Sequence, residues 1–228
     1  SNISNSKNVH IEQYDTTTLD FSNIFKKYKI DFVLHMAANT NKQCSYIDSI
    51  DSNIKFPIAL VTSALQFNVK YFLNMDTTFY NSELNSYSLS KKQFKEWLKT
   101  KKNKISIVNL RVDNVYGKRD NGGRFIPTVI ASLINKDDKL NLTDGIQRRD
   151  FIYIDDFTSL ICRVVQRLYD FDSGFYEYDA GSGKQTSIKS LVLLIEKIVD
   201  INKTKLNFGA VSYHIENEQE LYSKIDIS

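Results

Sequence analysis

Cysteine and histidine are scarce in this sequence, and each shortage narrows the field. Its two cysteines, Cys44 and Cys162, stand far apart in 228 residues. That fits reduced thiols better than a disulfide framework, so a cytoplasmic protein is expected. The three histidines, His10, His35 and His214, have no partner at ligand spacing, and no metal site is expected. No apolar run approaches a membrane span and no signal peptide is read, so a membrane protein is not expected either. The net charge is only +3 and long basic runs are missing, which gives no reason to expect nucleic acid. Internal repeats and low-complexity segments are also lacking.

What remains is an ordinary globular composition. With 42% hydrophobic and 25% charged residues, the chain can bury a sizeable core, as one domain or as a large and a small lobe. Residues 1–8 are polar and read as a loop. Val9 to Tyr14 alternates like a short strand, Asp15 and the threonines after it read as a turn, and Phe21 to Tyr28 has helical apolar spacing. Asp31 to Ala38 reads as a buried strand that ends in small residues. Those alanines allow a flat ligand to lie against the backbone, or simply allow tight packing. A helix is expected from Ser49 to Gln66, a second buried strand from Tyr71 to Met75 with Asp76, Thr77 and Thr78 at its end, and a helix from Tyr87 to Lys99. This alternation of strands and helices predicts an α/β fold with a parallel sheet, whose ligands bind beyond the carboxyl ends of the strands.

Tyr87 and Lys91 stand four residues apart, one turn along a single helix face. A tyrosine beside an ammonium can exchange a proton with an alcohol that becomes a carbonyl while a hydride moves at carbon. The spacing alone is weak evidence in a lysine-rich chain. The text around it is more specific. Asp31-Phe32-Val33-Leu34-His35-Met36-Ala37-Ala38 resembles an Asp-x-Val-x-His-x-Ala-Ala strand, and Leu110-Arg111-Val112-Asp113-Asn114-Val115-Tyr116-Gly117 resembles Leu-Arg-x-x-Asn-Val-Tyr-Gly. In this order, with Tyr87 and Lys91 between them, they resemble the extended short-chain dehydrogenases/reductases of the nucleotide-sugar epimerase/dehydratase branch.

That resemblance implies a Rossmann-type sheet binding NAD or NADP and a small C-terminal lobe closing over a nucleotide-diphosphate sugar. It places the dinucleotide core in residues 1–120 and most of the substrate lobe in 121–228. It implies Tyr87, Lys91 and a hydroxyl residue as the catalytic set. Asp15, Met36, Ala37, Ala38 and Asn53, with Tyr87 and Lys91, would contact the cofactor; Asn114, Phe125, Arg149 and His214 would contact the substrate. Arg149 belongs to Arg148-Arg149-Asp150-Phe151-Ile152-Tyr153, which resembles a family motif; it would grip the diphosphate or pair with Asp150 or Asp155. Phe175 to Gly183 resembles the family's Tyr-Asn-x-Gly-Ser-Gly turn, with Asp179 where asparagine is usual, and Ser187 to Val199 reads as an amphipathic helix packing on the substrate lobe. A homodimer through the Ser49–Gln66 and Tyr87–Lys99 helices is implied by analogy alone.

Two departures bear on function. The family opens with a strand and a Gly-x-x-Gly-x-x-Gly turn that cradles pyrophosphate, and nothing here corresponds; eight glycines are few for such a fold. The chain begins about where a second or third strand is expected, and without that turn it should hold a dinucleotide poorly. The hydroxyl residue is also displaced: aligned on Asp76 it becomes Met75, so Thr77 is preferred, with Thr78 as the neighbour. Dehydratases of this branch carry Asp-Glu there, whereas Asp76 is followed by Thr77. Epimerisation or reduction of a 4-keto-6-deoxy sugar at C4 is therefore expected over dehydration. A non-catalytic binding relative is the alternative.

Overall fold

The computed structural model describes residues 9–15, 17, 19–41, 44–79, 85–120, 123–201 and 203–212. His214 lies outside them. In chain order the elements are α1 (Ser22–Lys27), β1 (Phe32–His35), α2 (Tyr46–Ile50), a π-helical turn (Asp51–Lys55), α3 (Phe56–Gln66), β2 (Tyr71–Thr77), α4 (Ser86–Lys99), β3 (Ser106–Val112) and β4 (Asn114–Tyr116). Then come α5 (Phe125–Asn135), β5 (Lys139–Leu142), β6 (Arg148–Tyr153), α6 (Ile154–Gln166), β7 (Gly174–Ala180), β8 (Gln185–Ser187), α7 (Ile188–Val199) and β9 (Lys205–Phe208).

The main sheet runs β1-β2-β3-β7 with every pair parallel. Its strands alternate between two helical layers, as the two-residue period of a strand requires. Phe72 and Ile107 meet Val61, Phe94 and Leu98 from α3 and α4 on one face. Leu73, Met75, Val108 and Leu110 meet Phe157 of α6 on the other. A separate core, with Val129 and Leu133 of α5 against Val192 and Ile195 of α7, closes over the parallel pair β5–β9. The short sheet β4-β6-β8 joins this lobe to the main sheet. β7 starts late in the sequence yet completes the main sheet, so residues 121–228 supply core as well as lobe.

Two expected strands depart from expectation. Residues 9–14 form no strand: Val9 and Ile11 are exposed, Glu12 pairs with Lys27 at 2.7 Å, and Tyr14 packs on Phe21. Alternation makes a strand only beside a hydrogen-bonding neighbour, and among the described residues none lies next to it. β1 is shorter than expected and only partly buried. Within the described sheet it pairs on one side, and Phe32 and Leu34 are each 37% exposed while His35 is 3% exposed.

The helix expected from Ser49 begins earlier, at a Ser45–Asp48 capping box, and its turns widen to π geometry over Asp51–Lys55. Pro57, in the next turn, has no N–H to offer the Asn53 carbonyl, which removes one rung of the ordinary ladder there. Asn53 thus sits in the widened turn, 2% exposed.

Candidate active site

Helix α4 delivers the central side chains. Asn85 caps it by accepting from the Ser88 N–H at 2.7 Å, which sets Tyr87 in the first turn. The inward face continues through Lys91, Phe94, Lys95 and Leu98, the spacing of a buried helical stripe. Lys91 is only 4% exposed, and its ammonium donates to the Met75 carbonyl at 2.5 Å, on the carboxyl end of β2. Beside it Asp76 accepts from the Thr77 N–H at 2.8 Å and from Asn109 Nδ2 at 2.9 Å. Thr77 Oγ1 accepts from the Phe79 N–H at 3.1 Å, so the hydroxyl caps the turn after β2 while lining the same cleft as Tyr87 and Lys91.

Asn53 ties this helix to the loop after β1. Its Oδ1 accepts from the Asn39 N–H at 2.7 Å, and its Nδ2 donates to the Asn39 carbonyl at 3.0 Å and to Ser90 Oγ at 3.1 Å. Ser90 Oγ in turn donates to the Tyr87 carbonyl at 2.8 Å. The widened turn therefore positions the tyrosine and the β1 loop together.

Burial pushes the Tyr87 phenol upward, the Asp76 carboxylate adds to the rise, and Arg124 opposes it. Burial pulls Lys91 downward, against the pull of Asp76. Asp76 thus favours the protonated form of both. Asp113, at the carboxyl end of β3, is pushed up to about 6 by burial and by Asp150, although the Asn114 N–H and Nδ2 both donate to it.

These groups share a cleft of about 910 Å³ beyond the carboxyl ends of the strands. It brings together Tyr87, Lys91, Thr77, Met36, Ala38, Asn114 and Phe125 from the sequence-predicted set. Asp15, Ala37, Asn53 and Arg149 do not line it. Asp15 is exposed and accepts from the Thr17 N–H and hydroxyl, each at 2.8 Å. The Arg149 guanidinium donates to the Arg148 carbonyl at 2.8 Å and lies 5.5 Å from the centre of the Phe79 ring. Asp150 is engaged elsewhere: it accepts from the Ser182 N–H and hydroxyl and from the Gly183 N–H, and a Cβ on Gly181 would meet it at 2.6 Å. Sequence reasoning passed over Asp113, Lys118, Arg119 and Arg124, which also line the cleft. The charged loop before Phe125 was the available signal.

A model of the NAD dependent epimerase/dehydratase family matches residues 1–175 of the chain. The CDP-abequose synthase of Salmonella muenchen is 31% identical over 192 residues, covering 80% of this chain and 64% of that protein. The chain therefore spans a little under two thirds of that relative's length. Among solved structures, the UDP-glucuronic acid 4-epimerase from Bacillus cereus in complex with NAD is 26% identical with a TM-score of 0.73, over 86% of this chain and 67% of that one. The UDP-N-acetylglucosamine 4-epimerase from Methanobrevibacter ruminantium M1, in complex with UDP-N-acetylmuramic acid, has a TM-score of 0.77 at 22% identity, over 93% and 74%; that likeness speaks for the fold alone. The Rossmann-type parallel sheet expected from the sequence is the one observed.

Replacing Asp76 with asparagine removes the carboxylate that raises Lys91 toward its usual range, so the lysine should lose its proton at lower pH. The pH at which Lys91 becomes half-reactive toward an amine reagent, read by peptide mass spectrometry, should fall in Asp76→Asn. An unchanged or higher midpoint would remove Asp76 from the electrostatics of the pair.

Proposed function

The chain belongs to the NAD dependent epimerase/dehydratase family, and from that premise we propose that it serves an NAD(P)-dependent enzyme acting at C4 of a nucleotide-diphosphate sugar. The observation that carries this reading is the convergence of Tyr87, Lys91 and Thr77 in one cleft at the carboxyl ends of parallel strands. The reaction is either epimerisation of a hydroxyl or reduction of a 4-keto-6-deoxy sugar.

The residues present fit the nicotinamide end of the cofactor. Met36, Ala38 and Met75 offer small or apolar surface to a flat ring, and the Lys91 ammonium lies beside them, where it can donate to a ribose hydroxyl. The sequence holds no Gly-x-x-Gly-x-x-Gly turn, so these residues account for that end and not for the pyrophosphate. When bound, the cofactor supplies hydride exchange and, in its oxidised form, a positive charge. Tyr87 takes the proton from, or returns it to, the sugar oxygen. Its phenol is high in this arrangement, and a cation drawn close to it lowers it toward the range where proton transfer is efficient. Thr77 orients the oxygen with its hydroxyl. Of the arginines, Arg124 is better placed than Arg149 for the diphosphate, because it lines the cleft with Lys118 and Arg119 and its charge already reaches Tyr87. Asn114 is held by Asp113 and the Asp150 carbonyl, which sets its amide at the cleft wall.

No helix among the described residues is long and apolar enough to cross a membrane. Both cysteines are free, which favours a cytoplasmic setting. A second copy would cover the face where α2 exposes Tyr46, Ile47 and Ile50 beside Leu89 and Trp97 of α4. Light scattering of the full-length protein should then give twice the monomer mass; a monomer at micromolar concentration would rule that face out as a dimer interface.

The reaction type is read from the cofactor. A reductase releases oxidised nicotinamide every turnover, so adding a 4-keto-6-deoxy nucleotide sugar to the full-length protein with reduced nicotinamide should remove its absorbance stoichiometrically. An epimerase should interconvert 4-hydroxy nucleotide sugars with no net absorbance change. Failure to see either outcome with nucleoside-diphosphate sugars of different bases would overturn the proposal. A 6-deoxy product formed from a 6-hydroxy sugar would reassign the chemistry to dehydration.

A further inference from the structure

Four polar side chains stand in register across the main sheet, one on each strand: His35, Asn74, Asn109 and Glu177. All four point to the face covered by α4. Asn74 is 1% exposed and Asn109 is fully buried. They are linked edge to edge: His35 Nδ1 to Asn74 Oδ1 at 2.9 Å, Asn74 Nδ2 to Asn109 Oδ1 at 2.7 Å, and Asn109 Nδ2 to Glu177 Oε2 and to Asp76 Oδ2, both at 2.9 Å. One register step on, Arg111 and Asp179 pair at 2.5 Å on the same face. Lys95 of α4 reaches down to Glu177 at 3.2 Å, as Lys91 reaches the end of β2.

The direction of this ladder is fixed from its acidic end. Ionised carboxylates only accept, so Asn109 must turn its NH2 toward Asp76 and Glu177 and its carbonyl toward Asn74. Asn74 must then donate to Asn109 and present its carbonyl to His35. The imidazole has to donate from Nδ1. Its Nε2 is buried without a hydrogen-bond partner, and burial pulls the ring down to about 4, so it is the neutral ring that donates. Every rung is decided by the two carboxylates. In a buried network that satisfies its members, such polarity also specifies one arrangement over its alternatives.

We propose that Asn109 is a positioning residue for the Tyr87–Lys91 pair: its amide, turned by the carboxylates it serves, pins Asp76, and thereby its charge, beside that pair, while the same orientation is passed on through Asn74 to His35 as a reporter of it. The groups that face Asp76, Lys91 and Tyr87 are His35 from β1, Asn109 and Arg111 from β3, and Arg124 at the start of α5; Glu177 is balanced by Lys95 and Arg111. The catalytic half of this inference rests on the function proposed above. The hydrogen-bond half does not.

The test separates the two halves. Imidazole 15N shifts of His35 in the wild-type protein should show the Nδ1–H tautomer, with no protonation between pH 7 and about 5. In Asn109→Leu the direction is no longer imposed, and the ring should populate the Nε2–H form. Asp76→Asn removes the charge that favours the protonated forms of Tyr87 and Lys91, so the alkaline limb of its rate profile should fall by about 1 pH unit; Asn109→Leu, which lets the Asp76 side chain move away from the pair, should shift the limb in the same direction. Asn74→Leu cuts the ladder one rung earlier. It should change the His35 shifts and leave the rate profile in place. Wild-type His35 found as the Nε2–H tautomer would overturn the ladder even if Asn109→Leu fails to fold. A changed tautomer with the wild-type rate profile in Asn109→Leu would overturn the positioning role. Absence of turnover in the wild type with the tautomer as stated would instead overturn the function and leave the ladder standing.

Discussion

A lysine ammonium taken out of water costs several kcal/mol unless carboxylates and acceptors are waiting for it, and helix α4 buries two. Lys91 and Lys95 lie one turn apart on its inner face, 4% and 8% exposed. What waits for them is a polar layer on the sheet: Asp76 and the Met75 carbonyl for Lys91, Glu177 for Lys95. Arg111 and Asp179 complete it, so three carboxylates stand against three cations within one layer. The rest of the site depends on this match. It fixes how α4 sits on the sheet, hence where Tyr87 emerges. It sets the protonation preference of the pair. On the same inner face Phe94 and Leu98 add an apolar core, with the Phe94 ring edge-on to His35 and Phe72.

Two further devices hold the cleft around that pair. The π-helical turn places Asn53 where one amide holds the loop after β1 and the Tyr87 turn together. Beside Asn114 and Phe151 of the cleft lining, Asp150 gathers the Gly181–Gly183 turn, which keeps β6 and β8 beside the carboxyl end of β7. Neither device needs to touch a ligand to matter for chemistry, because a misplaced donor at a reacting oxygen loses most of its effect.

Much of this was legible in the sequence because periodicity and motif order are local signals. The strand at Tyr71 and the helix carrying Tyr87 and Lys91 follow from residues within a few positions of each other, and the family from short motifs taken in order. The failures come from long-range partners. Residues 9–14 alternate like a strand without a neighbour to pair with among the described residues, and β1 looks buried in sequence although its pairing leaves Phe32 and Leu34 exposed. The polar layer is spread over 145 positions, from His35 to Asp179, and no local window contains it. It did leave a trace: Asn74-x-Asp76, Asn109-x-Arg111 and Glu177-x-Asp179 repeat one polar two-residue step in three otherwise apolar or aromatic strands. That step places each pair on the same face. The role of Arg124 could not be read from motif position, since its reach to Tyr87 depends on how α5 is set over the sheet.

In the proposed reaction Tyr87 is the group that moves the proton, held in place by the layer beneath α4. Tyr87→Phe removes only the phenolic oxygen. In the full-length protein it should lower kcat by about 10²–10⁴-fold while calorimetry shows the nucleotide sugar binding as it does to the wild type. A phenylalanine variant that turns over at the wild-type rate would contradict the account.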